Sequence, residues 1–110
     1  LEAPIERAIT KLHSTCFGYP PDKVECVFLR SFDLTLSIER QRSPTESFLL
    51  KSGQTQLSTE IGLSVNAILR DKVFDLLKNE FGLPIIQLSF FQPTLPEKFG
   101  LFVVLKKEQT

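Results

Sequence analysis

Two hydrophobic periods alternate along the chain, and the switches between them lay out its elements. Residues 3–16 place Ile5, Ala8, Ile9, Leu12 and Cys16 at spacings of three and four, one face of an amphipathic helix. Pro4 suits its first turn, and Gly18, Pro20 and Pro21 stop it. In "VECVFLRSFDLTLSIER" the period drops to two. Phe32, Leu34, Leu36 and Ile38 point one way, and Asp33, Thr35, Ser37 and Glu39 the other. That is a strand with one wet face. The run before it, residues 24–29, is apolar on both faces, and a tight connection near Arg30 and Ser31 makes the two a hairpin.

"SPTESFLLKSG" opens a short helix. Ser43 is its N-cap, Pro44 its first residue and Glu46 the third position of a capping box, with Gly53 placed to end it. A long helical pattern then spans residues 54–81 through Leu57, Ile61, Val65, Ile68, Leu69, Val73, Leu76, Leu77 and Phe81, and Gly82 closes it. Gly62 inside it costs about 1 kcal/mol against alanine, which a close approach of another helix or a ligand would justify. Two strands follow, "LPIIQLSFF" and "FGLFVVLKK", joined by "QPTLPEK". Ile86, Leu88, Phe90, Phe99, Leu101, Val103 and Leu105 are the inward set.

The expected fold is therefore α+β: a four-stranded antiparallel sheet with helices packed on one face, in the order helix, two strands, short helix, long helix, two strands. The opposite face carries Ile85, Phe91, Phe102 and Val104, with Val27 and Leu29 from the first strand. It is wet only on the strand of residues 32–39, which places that strand at an edge. Those six apolar residues are candidate interface positions, because monomers rarely expose large contiguous apolar patches. Self-association, the short helix folding over them, or a ligand or protein partner could each cover them.

Composition narrows the functional classes. The 110 residues are 42% hydrophobic and 24% charged, ordinary for one globular domain spanning 1–110. Thirteen basic residues balance thirteen acidic ones, so nucleic acid is an unlikely partner; Arg30, Arg40 and Arg42 form the sole candidate patch, and a solvated strand edge explains them as well. No apolar run approaches the roughly 20 residues of a membrane helix, and no insertion into a membrane is expected. Two cysteines, Cys16 and Cys26, are too few for a disulfide framework, which favours a reducing cytoplasmic setting. A chain that lacks methionine and starts at Leu1 is expected to be part of a longer polypeptide.

Candidate chemistry is sparse. His13 and Cys16 lie three apart on a helix with Asp22 nearby, but Cys16 falls on the apolar stripe, where free cysteine acts as a small hydrophobe. One histidine and two cysteines do not make a zinc set. Ser52, Gly53 and Thr55, just before or at the start of the long helix, form a weak anion-site candidate through free helix N–H groups. Asp71, Asp75 and Glu80 read as a solvated helix face, and Phe90 and Phe91 as packing residues. No catalytic set and no cofactor site are expected.

The order of features resembles the MpsC-like family, small bacterial proteins named after a sodium-translocating, membrane-potential-generating system. The resemblance rests on the corner "FGYPP" after the first helix, the amphipathic strand, the helix start "SPTES", and the close "NEFGLPIIQLSF" and "GLFVVLKK". Pro20 stands where the family tends to have a second glycine, and no arginine precedes Arg70 in the long helix, where the family tends to carry one. The resemblance implies an accessory or regulatory role beside bacterial ion or inorganic-carbon uptake, with this domain outside the pore. Together with the residues, it gives the expectation of a non-enzymatic interaction domain that self-associates as a homodimer or meets a protein partner. The alternative is a small-molecule or anion sensor with its pocket between the long helix and the sheet.

Overall fold

Glycine and proline set the borders of the elements. The first helix, α1 (Glu2–Phe17), ends where Gly18 takes φ 82°, a left-handed conformation that only glycine adopts cheaply, and its N–H bonds the Ser14 carbonyl. In the computed structural model, which describes residues 1–92 and 97–106, the chain continues through β1 (Lys23–Arg30), β2 (Asp33–Glu39), α2 (Pro44–Lys51), α3 (Thr55–Asn79), β3 (Ile85–Phe91) and β4 (Lys98–Leu105). Residues 93–96 of the expected β3–β4 connection and residues 107–110 lie outside the described set. The expected α+β order is the observed one.

The four strands form one antiparallel sheet in the order β1-β2-β4-β3. β2 is thus central, not at an edge. Its alternation reports which face is wet and carries no information about lateral neighbours: Thr35 lies between Val27 and Phe102, and Ser37 between Glu25 and Gly100. Phe32 falls in the turn, where its carbonyl accepts from the Leu105 N–H.

Ile5 and Ile9 of α1 and Leu69, Val73 and Leu77 of α3 share one core with Cys26, Leu34, Leu36, Ile38, Phe99, Leu101 and Val103. Helices therefore pack on one face of the sheet, and among the described residues no helix lies on the other. At the β1 edge, the Glu2 and Glu6 carboxylates of α1 accept hydrogen bonds from the Phe28 and Cys26 N–H groups at 2.7 and 2.8 Å. That occupies backbone donors which an open edge would offer to another strand.

Three expectations change at the level of side chains. A register shift between Ile85 and Gln87 exchanges two neighbours: Ile85, paired with buried Leu105, joins the core side, while Ile86 is 65% exposed. On α1 the inward row is Ile5, Ile9 and His13, an i, i+4, i+8 row, and Cys16 is exposed. On α3 the inward row is Ser58, Gly62, Asn66, Leu69, Val73 and Leu77, leaving Leu57 and Ile68 in solvent. Hydrophobic spacing found the helix and misplaced the first half of its buried face.

Candidate functional site

Where β2 ends, the inward alternation Leu34, Leu36, Ile38 continues to Arg40, which is 2% exposed. A buried guanidinium is tolerated only when paired and hydrogen-bonded. Here each of its five N–H donors has an acceptor. Two reach the Glu46 carboxylate of α2, at 2.8 and 3.2 Å. Nε donates to Asn66 Oδ1 at 2.7 Å, and the others go to the carbonyls of Gly62 and Gln41 at 3.1 and 3.0 Å.

The acid is held as firmly. Glu46 is fully buried and belongs to the capping box: its carboxylate accepts from the Ser43 N–H, while its own N–H donates to Ser43 Oγ. Ser58 Oγ of α3 donates to the Glu46 carbonyl at 2.8 Å. Burial alone would raise the Glu46 pKa, but the hydrogen bonds from Arg40 and Ser43 outweigh it and hold the acid below its ordinary range. Asn66 Nδ2 passes the network on to Gln92 Oε1 at 2.8 Å, and Gln92 Nε2 reaches the Lys98 carbonyl. The network ties together the ends of β2, β3 and β4 with α2 and the first half of α3.

His13 lies close by, also fully buried. Its Nδ1 meets the Tyr19 carbonyl at 2.9 Å and so carries the proton, and its ring stands 4.7 and 5.4 Å from those of Phe17 and Tyr19. Nε2 is buried with no partner. Burial lowers its pKa most, Arg40 adds to that, and the Tyr19 carbonyl and Asp22 oppose it. Cys16 turns to solvent, and the Asp22 carboxylate accepts from Gln41 Nε2, so the structure does not assemble the three into a nucleophilic set. Burial, then Glu2 and Glu6, push the Cys26 thiol up to about 11, which keeps it protonated and inert.

The remaining sequence candidates are scattered. Arg30 is paired with Asp33 and Arg42 with Glu97, so the three arginines of the basic run each face a carboxylate. Ser52 caps α2 with its hydroxyl on the Phe48 carbonyl, Gly53 takes φ 82°, and Thr55 opens α3 in solvent. Of the six interface candidates, Val27, Leu29 and Phe91 are exposed, Phe102 and Val104 half-buried, and Ile85 faces the core side. Surface hollows of about 440 and 240 Å³ flank α1, the first lined by Glu6, Arg7, Thr10 and Lys11 and the second by Leu12, Thr15, Leu76 and Glu80. Gly62 stands out in the sequence as a place of close approach, and its carbonyl does meet Arg40. Ser58 and Asn66 were missed and Arg40 was read as surface, because periodicity scores only apolar positions. Two signals pointed to them: Arg40 extends the inward alternation of β2, and 58, 62 and 66 extend the row of 69, 73 and 77 at helical spacing.

A two-layer α+β domain with a saturated polar network at one end of its sheet is the class the structure defines. The family model of the Na+-translocating membrane potential-generating system protein MpsC matches residues 1–98, and the chain belongs to that family. No curated protein and no solved structure matches it. Among the described residues no helix is long and apolar enough to cross a membrane. Family membership connects the chain with a Na+ membrane-potential system.

Proposed function

We propose that this chain is a non-enzymatic, self-associating interaction domain, on the cytoplasmic side, accessory to an ion or inorganic-carbon uptake system. The observation that carries the reading is an inversion. Arg40 and His13 are committed inside, to Glu46 and to the Tyr19 carbonyl, while large apolar side chains stand outside. Phe48 is 68% exposed, and Ile68, Phe91 and Leu29 are exposed by more than half. Exposed apolar surface of this kind marks an interaction site, and family membership supplies the setting. Multi-angle light scattering across a wide concentration series tests it. A mass that rises to twice the monomer supports the reading, and a monomer at every concentration overturns self-association.

A further inference from the structure

The two edges of the sheet differ in how their backbone is occupied. Along an antiparallel strand, successive residues turn their N–H and C=O groups to opposite neighbours. On β4, Leu105 turns to β2, its N–H on the Phe32 carbonyl, and Lys106 turns to β3, its N–H on the Pro84 carbonyl. Val104, Phe102 and Gly100 therefore face Gln87, Ser89 and Phe91, past the irregularity at 85–87. Leu88 and Phe90 lie opposite Val103 and Leu101 and direct their backbone groups away from β4, along the outer edge. The same alternation turns Cys26 and Phe28 to the β1 edge, where each N–H is taken by a carboxylate of α1. Among the described residues nothing takes those of Leu88 and Phe90. Side chains repeat the contrast. β1 carries Lys23, Glu25 and Arg30, charges that discourage strand addition, whereas residues 85–91 hold no ionisable side chain and no proline. On the core side Leu88 and Phe90 are only half-buried, while Val103 and Leu101 beside them are enclosed.

We propose that β3 is the seam through which two copies of this chain pair, edge to edge and antiparallel, so that one sheet runs through both; this rests on the self-association reading. The edge itself selects a strand as occupant, because a row of free N–H and C=O groups is satisfied by another extended backbone. The opposite edge selects a second copy. With β3 joined to β3 about a twofold axis and both β1 edges occupied by Glu2 and Glu6, pairing closes at two copies and does not run on into a fibre. The register follows from which groups are free. An axis through Ser89 sets Leu88 of each copy against Phe90 of the other, and each such pair exchanges both of its hydrogen bonds. The two half-buried side chains then cover one another on the core side. On the outer face Ser89 meets Ser89 in a non-hydrogen-bonded pair, where Cα atoms stand about 4.5 Å apart and two hydroxyls can bond each other. An axis at Leu88 would draw the irregular Ile86 into the ladder, and one at Phe90 would pass the end of β3 at Phe91.

Sedimentation equilibrium on the whole chain and its variants tests this, with circular dichroism confirming that each is folded. Ser89→Glu and Ser89→Lys, each of which sets like charges across the axis, are expected to raise the dimer dissociation constant by at least about tenfold. An equimolar mixture of the two restores pairing, because glutamate then meets lysine. Leu29→Glu, exposed on the occupied β1 strand, is expected to leave the constant unchanged. Amide hydrogen exchange read by NMR reports the same seam without any substitution. The Leu88 and Phe90 amides exchange freely in dilute monomer and slow by at least about tenfold in the dimer, while the Ser89 amide, already turned to β4, is slow in both. A wild-type monomer at every concentration sinks the self-association reading itself. A dimer that survives both Ser89 variants, or whose Leu88 and Phe90 amides stay fast, keeps that reading and overturns this seam. Failure of the mixture to pair overturns the register about Ser89.

Discussion

The two halves of α3 face the same sheet with opposite chemistry. From Leu69 onward the helix is conventional: Leu69, Val73 and Leu77 are fully buried, and Asp71, Lys72, Asp75 and Lys78 are exposed. Before Leu69 the inner row is Ser58, Gly62 and Asn66, and the outer surface holds Leu57, Leu63 and Ile68. The cause is what each half meets. The second half meets Leu34, Leu36 and Phe99 in the core, while the first half meets a guanidinium that needs oxygen acceptors at close range. The Gly62 carbonyl and the Asn66 amide supply two of them. The difference teaches that a helix can be held by the same sheet through apolar burial at one end and hydrogen-bond saturation at the other, and that only the first leaves an apolar signature in sequence.

The strongest way to break the polar half is to remove one member of its ion pair. Arg40→Ala strands the Glu46 carboxylate and the Asn66 amide in the interior, and an orphaned buried charge costs about 3–5 kcal/mol. Replacing both charges with apolar side chains, Arg40→Met with Glu46→Leu, is expected to cost less than the single change, because no charge stays buried. The remaining loss is that of neutral partners, the Asn66 amide, the Gly62 carbonyl and the Ser43 N–H. Urea denaturation read by circular dichroism separates the two. A single variant as stable as the double one would show that the network does not hold α2 and the first half of α3 in place.

Next in size is the apolar half. Leu77→Ala removes a fully buried side chain and leaves a cavity, with an expected loss of about 2–5 kcal/mol. Its contrast is the solvent-facing side of the helix, where Ile68→Ala should move monomer stability by no more than about 0.5 kcal/mol. Thermal melts at low protein concentration check both. Equal losses at 68 and 77 would mean that the inward row has been assigned to the wrong face.

Much of the fold was legible because its signals are local. The capping box at Ser43 and Glu46, the left-handed Gly18 and Gly53, and the alternation of Leu34, Leu36 and Ile38 each lie within a few residues of sequence. What escaped is non-local. The shift at Ile86 depends on register against β4, and the central place of β2 depends on which strands flank it. The polar network was the least legible part. Arg40 and its acceptor Asn66 are 26 residues apart, and each reads by itself as a solvated side chain. Even Glu46, identified as a cap, carries a second role that its capping spacing does not reveal.

Asn66 tests how the network is shared. Asn66→Ala removes the acceptor of the Arg40 Nε–H and the donor to Gln92, leaving the Glu46 pairing intact. A buried group left unsatisfied costs about 1–3 kcal/mol, less than losing the ion pair. In a double-mutant cycle with Arg40→Ala the two losses are expected to be strongly non-additive, because both remove the same bond. Additive losses would mean that Asn66 acts independently of Arg40.

The smallest expected effect is a response to acid that begins at His13. Burial holds this imidazole below its ordinary pKa of about 6.5, so the unfolded chain binds a proton more readily than the folded one. Stability then rises with pH in that range, and it falls as pH drops below about 6.5. Glu46, whose folded pKa is also lowered, adds its own loss only when carboxylates begin to protonate in the unfolded chain, below about pH 4.5. The groups acting on the ring are Arg40, which disfavours its protonation, and Asp22 and the Tyr19 carbonyl, which favour it. Urea midpoints of the wild type should therefore decline between pH 6.5 and 5, and those of His13→Gln should stay level across the same interval. In the Arg40→Met, Glu46→Leu variant the repulsion from Arg40 is gone, and the decline should become shallower. An unchanged slope there would show that Arg40 does not help to lower the pKa of His13, and that the polar half of α3 and the helix-to-strand corner are electrostatically independent.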